Sequence, residues 1–206
     1  MKLYTLSASP NSRRAMATAL QLGVDVEVVT VNLMKGEHRT PEFLAINPNG
    51  KVPALVDGEL RLWESTAIMH YLAMKTPGQT LLPEDPAARA DVLRWQAWDL
   101  TTFSPTTAPV VYERVFTPMM GGTPDEERIA TLLTGFRKAA TLLEAHLQGR
   151  QWLVGDGLTL ADFSVGAVLT YAIAAQLPLA EFPAIEAWRA RLERVPAWAE
   201  TMPRLG

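Results

Sequence analysis

The 206-residue chain contains no cysteine. That absence excludes disulfides, thiolate-metal centres and a cysteine nucleophile together. Histidine is scarce as well, three in all, and His70 and His146 have no partner at ligand spacing, so no metal is expected. An excess of positive charge is also missing. The 19 basic and 22 acidic residues leave a formal net charge of −3, which argues for neither nucleic acid nor a membrane surface as partner. A membrane-spanning run is lacking too. The uncharged stretch 163–180 falls short of the ~20 residues a span needs and contains Pro178, Ser164, Thr170 and Gln176, so it reads as a buried central helix. The opening MKLYTLSAS has neither the apolar core nor the cleavage site of a signal peptide. A soluble, cytoplasmic chain is expected.

What is present centres on residues 47–65, NPNGKVPALVDGELRLWES. A turn cluster, Asn47-Pro48-Asn49-Gly50, leads through Lys51-Val52-Pro53 into a strand at 54–56. Asp57-Gly58 between two apolar runs predicts a tight hairpin, with its second strand at 60–63. Pro53 removes a backbone donor and forces Val52 into an extended conformation, leaving the Val52 backbone for a partner outside the sheet. At the other end Ser65 opens a helix, where backbone N–H groups and the helix dipole attract an anion. Strand-like pairing beside a carboxylate pocket suits a small acidic peptide.

Along the chain, residues 2–6 read as a first strand. Ser9-Pro10 is an N-cap followed by a proline at the first helical position, and Gly23 ends that helix. The β-branched run 26–31 is a second strand, and Thr40-Pro41 caps a short helix at 42–46. With the hairpin and a helix over 65–74, the order is β-α-β-α-β-β-α, a thioredoxin-like α/β arrangement without its C-x-x-C pair. Residues 77–86 form a proline-rich linker. Beyond it every pattern is helical: 87–115, bent near Pro105 and Pro109; a long helix from Thr123-Pro124-Asp125-Glu126 to about 147; a capping-box start at Thr159-Leu160-Ala161-Asp162; and 183–194, with an irregular tail after Pro196. The expected domains are residues 1–76, thioredoxin-like, and 87–206, all-helical.

With these elements placed, the chain resembles the cytosolic glutathione transferases over its full length. The resemblance is carried by Asn47-Pro48-Asn49-Gly50-Lys51-Val52-Pro53-Ala54-Leu55, by Glu64-Ser65-Thr66-Ala67-Ile68 and by Gly157-Leu158-Thr159-Leu160-Ala161-Asp162. It implies a serine-using member of the phi, theta or delta kind, bacterial in style. It also implies a cis Val52-Pro53 peptide, glutathione as co-substrate, and a homodimer joined through the third and fourth helices. In such proteins the Val52 backbone pairs with the cysteinyl residue of glutathione by strand addition. Glu64 and Ser65 hold the γ-glutamyl end, and His38 and Lys51 face the glycyl carboxylate.

The glutathione thiol must ionise before it attacks. A free thiol has a pKa of about 8.5, and bringing it to about 6.5 favours the thiolate by roughly 2.7 kcal/mol. One hydroxyl donated to a charged acceptor supplies roughly 1.5–3 kcal/mol, and a helix N-terminus about 0.3–1 more. A serine at the start of the first helix therefore suffices. Matching Arg13-Arg14 to the arginines that follow the catalytic serine in related proteins places Ser9 in that role, with Ser12, Asn11 and Ser7 as alternatives. Capping and activation can compete, because a cap accepts a hydrogen bond while activation needs one donated. Tyr4 lies within the first strand and is a poor candidate.

The electrophile site implied by the resemblance lies between the domains. Phe103, Tyr112, Phe116, Met119 and Met120 are candidates to line it, although each can equally serve ordinary packing; Trp95 and Trp98 read as core or dimer interface. The leading function is addition of the glutathione thiolate to an apolar electrophile. Glutathione-dependent peroxide reduction and non-catalytic binding of glutathione or apolar ligands are the alternatives.

Overall fold

Four short strands form one mixed sheet in the order β2-β1-β3-β4. In this computed structural model, which describes residues 1–203, β1 is Lys2–Thr5, β2 is Glu27–Thr30, β3 is Ala54–Asp57 and β4 is Leu60–Trp63. β1 runs parallel to β2 (Leu3 opposite Val28) and antiparallel to β3 (Leu3 opposite Leu55), and β3 pairs antiparallel with β4 (Leu55 opposite Leu62). Helices α1 (Pro10–Gln21) and α3 (Ser65–Lys75) pack together on one face; α2 (Pro41–Leu44) follows the β2 loop. The resulting fold is thioredoxin-like.

Side-chain alternation explains both faces. Leu3 and Leu55 join Ala15 and Ala19 of α1 and Ile68 and Leu72 of α3 in one fully buried cluster. The two alanines let α1 approach closely, and each buried Leu or Ile contributes roughly 1.5–3 kcal/mol of apolar transfer. Ala54 points the other way, to Phe43 and Val31. Tyr4 shares that second face, its ring edge-on to Phe43 at 6.0 Å, and so is a packing residue.

The second unit, Pro83–Arg194, is helical among its described elements. α4 (Pro86–Trp98), α5 (Ser104–Val111) and α6 (Thr117–Met119) follow one another without a break, joined by π-helical turns at Asp99–Phe103 and Tyr112–Phe116. Pro105 and Pro109 have no N–H to give the i−4 carbonyl, and the wider turns let the chain continue past them as a helix. α7 (Glu126–Leu147) is capped by Asp125, whose side chain accepts from Arg128 N; the expected cap, Thr123, lies outside the helix. α8 (Leu160–Ala167) is shorter than the expected buried helix. It tightens to a 3₁₀ turn at Val168–Tyr171, and the chain then reverses through Gln176 at φ 50°. α9 is Pro183–Leu192. Among the described residues no helix is long and apolar enough to cross a membrane.

A buried carboxylate ties this unit together. Asp162 Oδ1 accepts from Leu153 N (3.0 Å) and Trp188 Nε1 (2.9 Å), while Oδ2 accepts from Thr159 N (2.9 Å) and Thr159 Oγ1 (3.0 Å). Burial pushes its carboxyl above the ordinary range, against these four hydrogen bonds.

The chain does not divide as the linker alone suggests. The first unit contains Met1–Leu82 and also the segment from Val195 onward, so residues 87–206 are not one domain. The tail expected to be irregular forms α10 (Pro196–Glu200), which packs on α1. The Arg13 guanidinium donates to Trp198 O at 2.9 Å and lies 3.9 Å from the Trp198 ring centroid. A contact between residues 185 apart leaves no local pattern in the sequence. Residues 204–206 lie outside the described residues.

Candidate functional site

Strand register brings three separated segments to one end of the sheet. Tyr4 lies opposite Ala54, and Ala54 opposite Trp63. The residues leaving β1, those entering β3 and those leaving β4 therefore emerge together. These are Leu6 to Ser9, Val52-Pro53 and Glu64-Ser65, and both α1 and α3 begin there.

Ser9 caps α1, its Oγ accepting from Ser12 N at 3.2 Å. A hydroxyl carries one donor and two acceptor lone pairs. The cap uses a lone pair, and the Ser9 proton has no partner among the described residues. Capping and donation are thus compatible, and the cap holds the oxygen in place. The alternatives are differently engaged. Ser12 is buried, and its Oγ accepts from Leu6 N at 3.2 Å, closing the loop between β1 and α1. Asn11 Oδ1 is taken by Arg14. Ser7 is exposed and has no hydrogen-bond partner among the described residues.

The Val52–Pro53 peptide bond is cis. The Val52 backbone N–H and C=O find no hydrogen-bond partner among the described residues, as a strand-addition site requires. The preceding loop is built on Asn47, which is buried: its Nδ2 donates to Lys51 O at 2.6 Å and its Oδ1 accepts from Asn49 N at 3.0 Å. Gly50, at φ +60°, lies against His38, where an added Cβ would stand 3.1 Å from the His38 carbonyl oxygen. His38 is thereby held beside Lys51. Its Nδ1 is buried without a hydrogen-bond partner among the described residues, and Lys51 is exposed.

Glu64, the N-cap of α3, has φ 70° and ψ 114°. For a residue with a Cβ this conformation costs about 1–3 kcal/mol, and such strain collects where a ligand needs the backbone turned. Ser65 follows at the first helical position, buried, its hydroxyl without a partner among the described residues. The neighbouring Thr66 Oγ1 is also buried and has no partner among the described residues. The sequence reading passed over Thr66, although it stands in the same Glu64-Ser65-Thr66 helix start.

In the second unit Tyr112 is 52% exposed and Met119 57% exposed, with the half-buried Phe116 between them. The Phe116 ring is 6.3 Å from Tyr112 and 5.3 Å from Tyr171, an aromatic ladder whose third member the sequence reading missed because it lies beyond α7. Phe103 is a correction. It is fully buried, stacked 5.1 Å from Trp98 and 6.0 Å from Phe136, because the π turn rotates it into the core, so it lines no ligand surface. Among the described residues no group of three His, Asp or Glu could hold a metal ion.

These segments meet on a thioredoxin-like unit, and comparison with known proteins shows the family to which it belongs. Residues 1–74 match the family model described as "Glutathione S-transferase, N-terminal domain", and residues 105–196 that of its C-terminal domain. The chain belongs to the glutathione S-transferase family. It is 36% identical to glutathione S-transferase 3 of Zea mays, over 98% of this chain and 93% of that protein. It is similar to the structure of a glutathione S-transferase I bound with lactoylglutathione, with TM-score 0.90, 32% identity and coverage of 98% and 97%. It is also similar to glutathione S-transferase I from maize in complex with an atrazine glutathione conjugate, with TM-score 0.89, 33% identity and coverage of 100% and 99%.

Proposed function

We propose that the chain is a serine-type glutathione transferase in which Ser9 donates its hydroxyl proton in a hydrogen bond to the glutathione sulfur and so stabilises the thiolate. The observation that carries this reading is the state of Ser9: its oxygen is fixed by the Ser12 amide and its proton is without a partner among the described residues. Plant relatives bearing the F designation support a phi-like class. The thiol loses its proton to solvent on binding, and the thiolate then attacks the electrophilic carbon of an apolar substrate, forming the carbon–sulfur bond while a leaving group such as chloride departs with the electron pair of its bond to carbon. The maize complex with an atrazine conjugate supports an aromatic electrophile.

Glutathione is held by the first unit. Its cysteinyl residue pairs with the Val52 backbone beside Pro53, its γ-glutamyl carboxylate takes the Ser65 hydroxyl and the α3 N-terminus, and Glu64 accepts from its ammonium group. His38 and Lys51 face the glycyl carboxylate. Tyr112, Phe116 and Met119 offer the apolar surface for the electrophile. The protein works as a cytoplasmic homodimer through α3 and α4, where Met74 and Leu93 are 68% and 48% exposed; sedimentation as a monomer would contradict that part.

Kinetics with a chlorinated nitroaromatic test the reading. Ser9→Ala should lower kcat/KM roughly 10- to 100-fold, the value of one hydrogen bond to a charged acceptor, with glutathione affinity retained. Full activity in Ser9→Ala would overturn it, and glutathione binding without turnover in the wild type would leave a binding protein.

A further inference from the structure

Ser9 sits at the outer end of α1, so its aim depends on what holds the first helical turn. Two anchors do so. One is local, the Ser12 hydroxyl on Leu6 N. The other comes from the end of the chain. Arg13 N donates to Ser9 O at 2.9 Å, making Arg13 the residue that closes the first α-helical turn below the cap. Its side chain is 3% exposed, and its guanidinium both stacks on the Trp198 ring, 3.9 Å from the centroid, and donates to the Trp198 carbonyl oxygen. Trp198 is itself 2% exposed. A desolvated guanidinium that stacks and donates at once uses two properties of arginine that lysine does not combine.

We propose that Arg13 is a positioning residue for Ser9, and that Trp198 of the C-terminal helix α10 is its anchor: together they fix the first turn of α1 so that the Ser9 proton meets the bound thiol. The proposal rests on the assignment of Ser9 as the thiolate donor. It gives the return of the chain to the first unit a catalytic consequence, since α10 packs on α1, the helix that Ser9 caps. A misaimed donor costs rate without costing peptide affinity, because Val52 and Ser65 are untouched.

The full-length variants Arg13→Lys, Arg13→Met and Trp198→Leu and the pair Arg13→Met/Trp198→Leu test it, with the ultraviolet absorbance of bound glutathione thiolate titrated against pH beside steady-state kinetics. Each single variant should lower kcat about tenfold, leave the glutathione KM within about twofold, and raise the pH at which bound glutathione ionises. The pair should be little worse than either single, as expected for two members of one contact. Trp198→Leu carries the decisive comparison, because it removes no charge. If Arg13→Lys keeps wild-type ionisation while Arg13→Met loses it, the effect is one of charge, and the positioning role is overturned. If melting falls while ionisation stays in place, the contact is merely structural and the proposal fails. Failure of the Ser9 assignment reads differently: Ser9→Ala would then leave ionisation unmoved.

Discussion

The Ser12 amide donates to the Ser9 hydroxyl at 3.2 Å, while the Ser12 hydroxyl turns inward to the Leu6 amide. Two serines three residues apart are thus differently engaged, one accepting as the helix cap and the other fastening the loop. Ser12→Ala should therefore act on stability, leaving the part-buried Leu6 amide without its acceptor at a cost of about 0.5–1.5 kcal/mol. Denaturant unfolding alongside conjugation kinetics checks this; a loss of turnover as large as that of Ser9→Ala, with stability intact, would reverse the two assignments.

Ser65→Ala should act on binding. The hydroxyl has no partner among the described residues, so its removal should leave the folded protein undisturbed. Losing one hydrogen bond to a carboxylate should raise the glutathione KM by roughly 10-fold or more with kcat little changed. An unchanged KM would remove Ser65 from the γ-glutamyl site.

Gly50→Ala places a Cβ 3.1 Å from the His38 carbonyl at a φ of +60°. Strain of roughly 1–2 kcal/mol should appear as lower stability, together with weaker glutathione binding, since His38 and Lys51 flank this contact. Calorimetry of both unfolding and binding reads the two effects. Unaltered binding in a destabilised variant would separate the loop from the site.

Asp162→Asn presents an NH₂ group to donors that now meet an oxygen, so a loss of about 3–5 kcal/mol is expected for this buried group. The pH dependence has a definite sign. Burial raises the folded-state pKa, so the folded protein takes up the proton at higher pH than the unfolded chain. This contribution is complete below the ordinary carboxylate range and is lost as pH rises through the raised value. The stability gap between wild type and Asp162→Asn should therefore widen on acidification; a gap that narrows would mean that the four hydrogen bonds outweigh desolvation.

Local signals carried most of the fold. Ser9-Pro10, Thr40-Pro41, Asp57-Gly58 and Thr159 with Asp162 each encode a cap or turn through their own side chains, and those elements form where the pattern puts them. Asp125 replaced Thr123 as the α7 cap because both are competent caps and only packing chooses. What stayed hidden depends on distant partners. The burial of Phe103 follows from a π turn, and α10 is short and is held by Arg13 across nearly the whole chain. In the candidate site, the unpaired Val52 backbone and the helix start at Ser65 were legible because a proline and a helix-start pattern mark them. How the serines at 7, 9 and 12 are hydrogen-bonded was not, because hydrogen-bond direction is set in three dimensions.

The most direct test of the central claim is the ionisation of bound glutathione, followed by thiolate absorbance across pH in wild type and Ser9→Ala at saturating glutathione. The wild-type complex should titrate near 6.5, about two pH units below the free thiol, and Ser9→Ala should return most of the way to about 8.5. Coincident titration curves for the two proteins would contradict the assignment of Ser9.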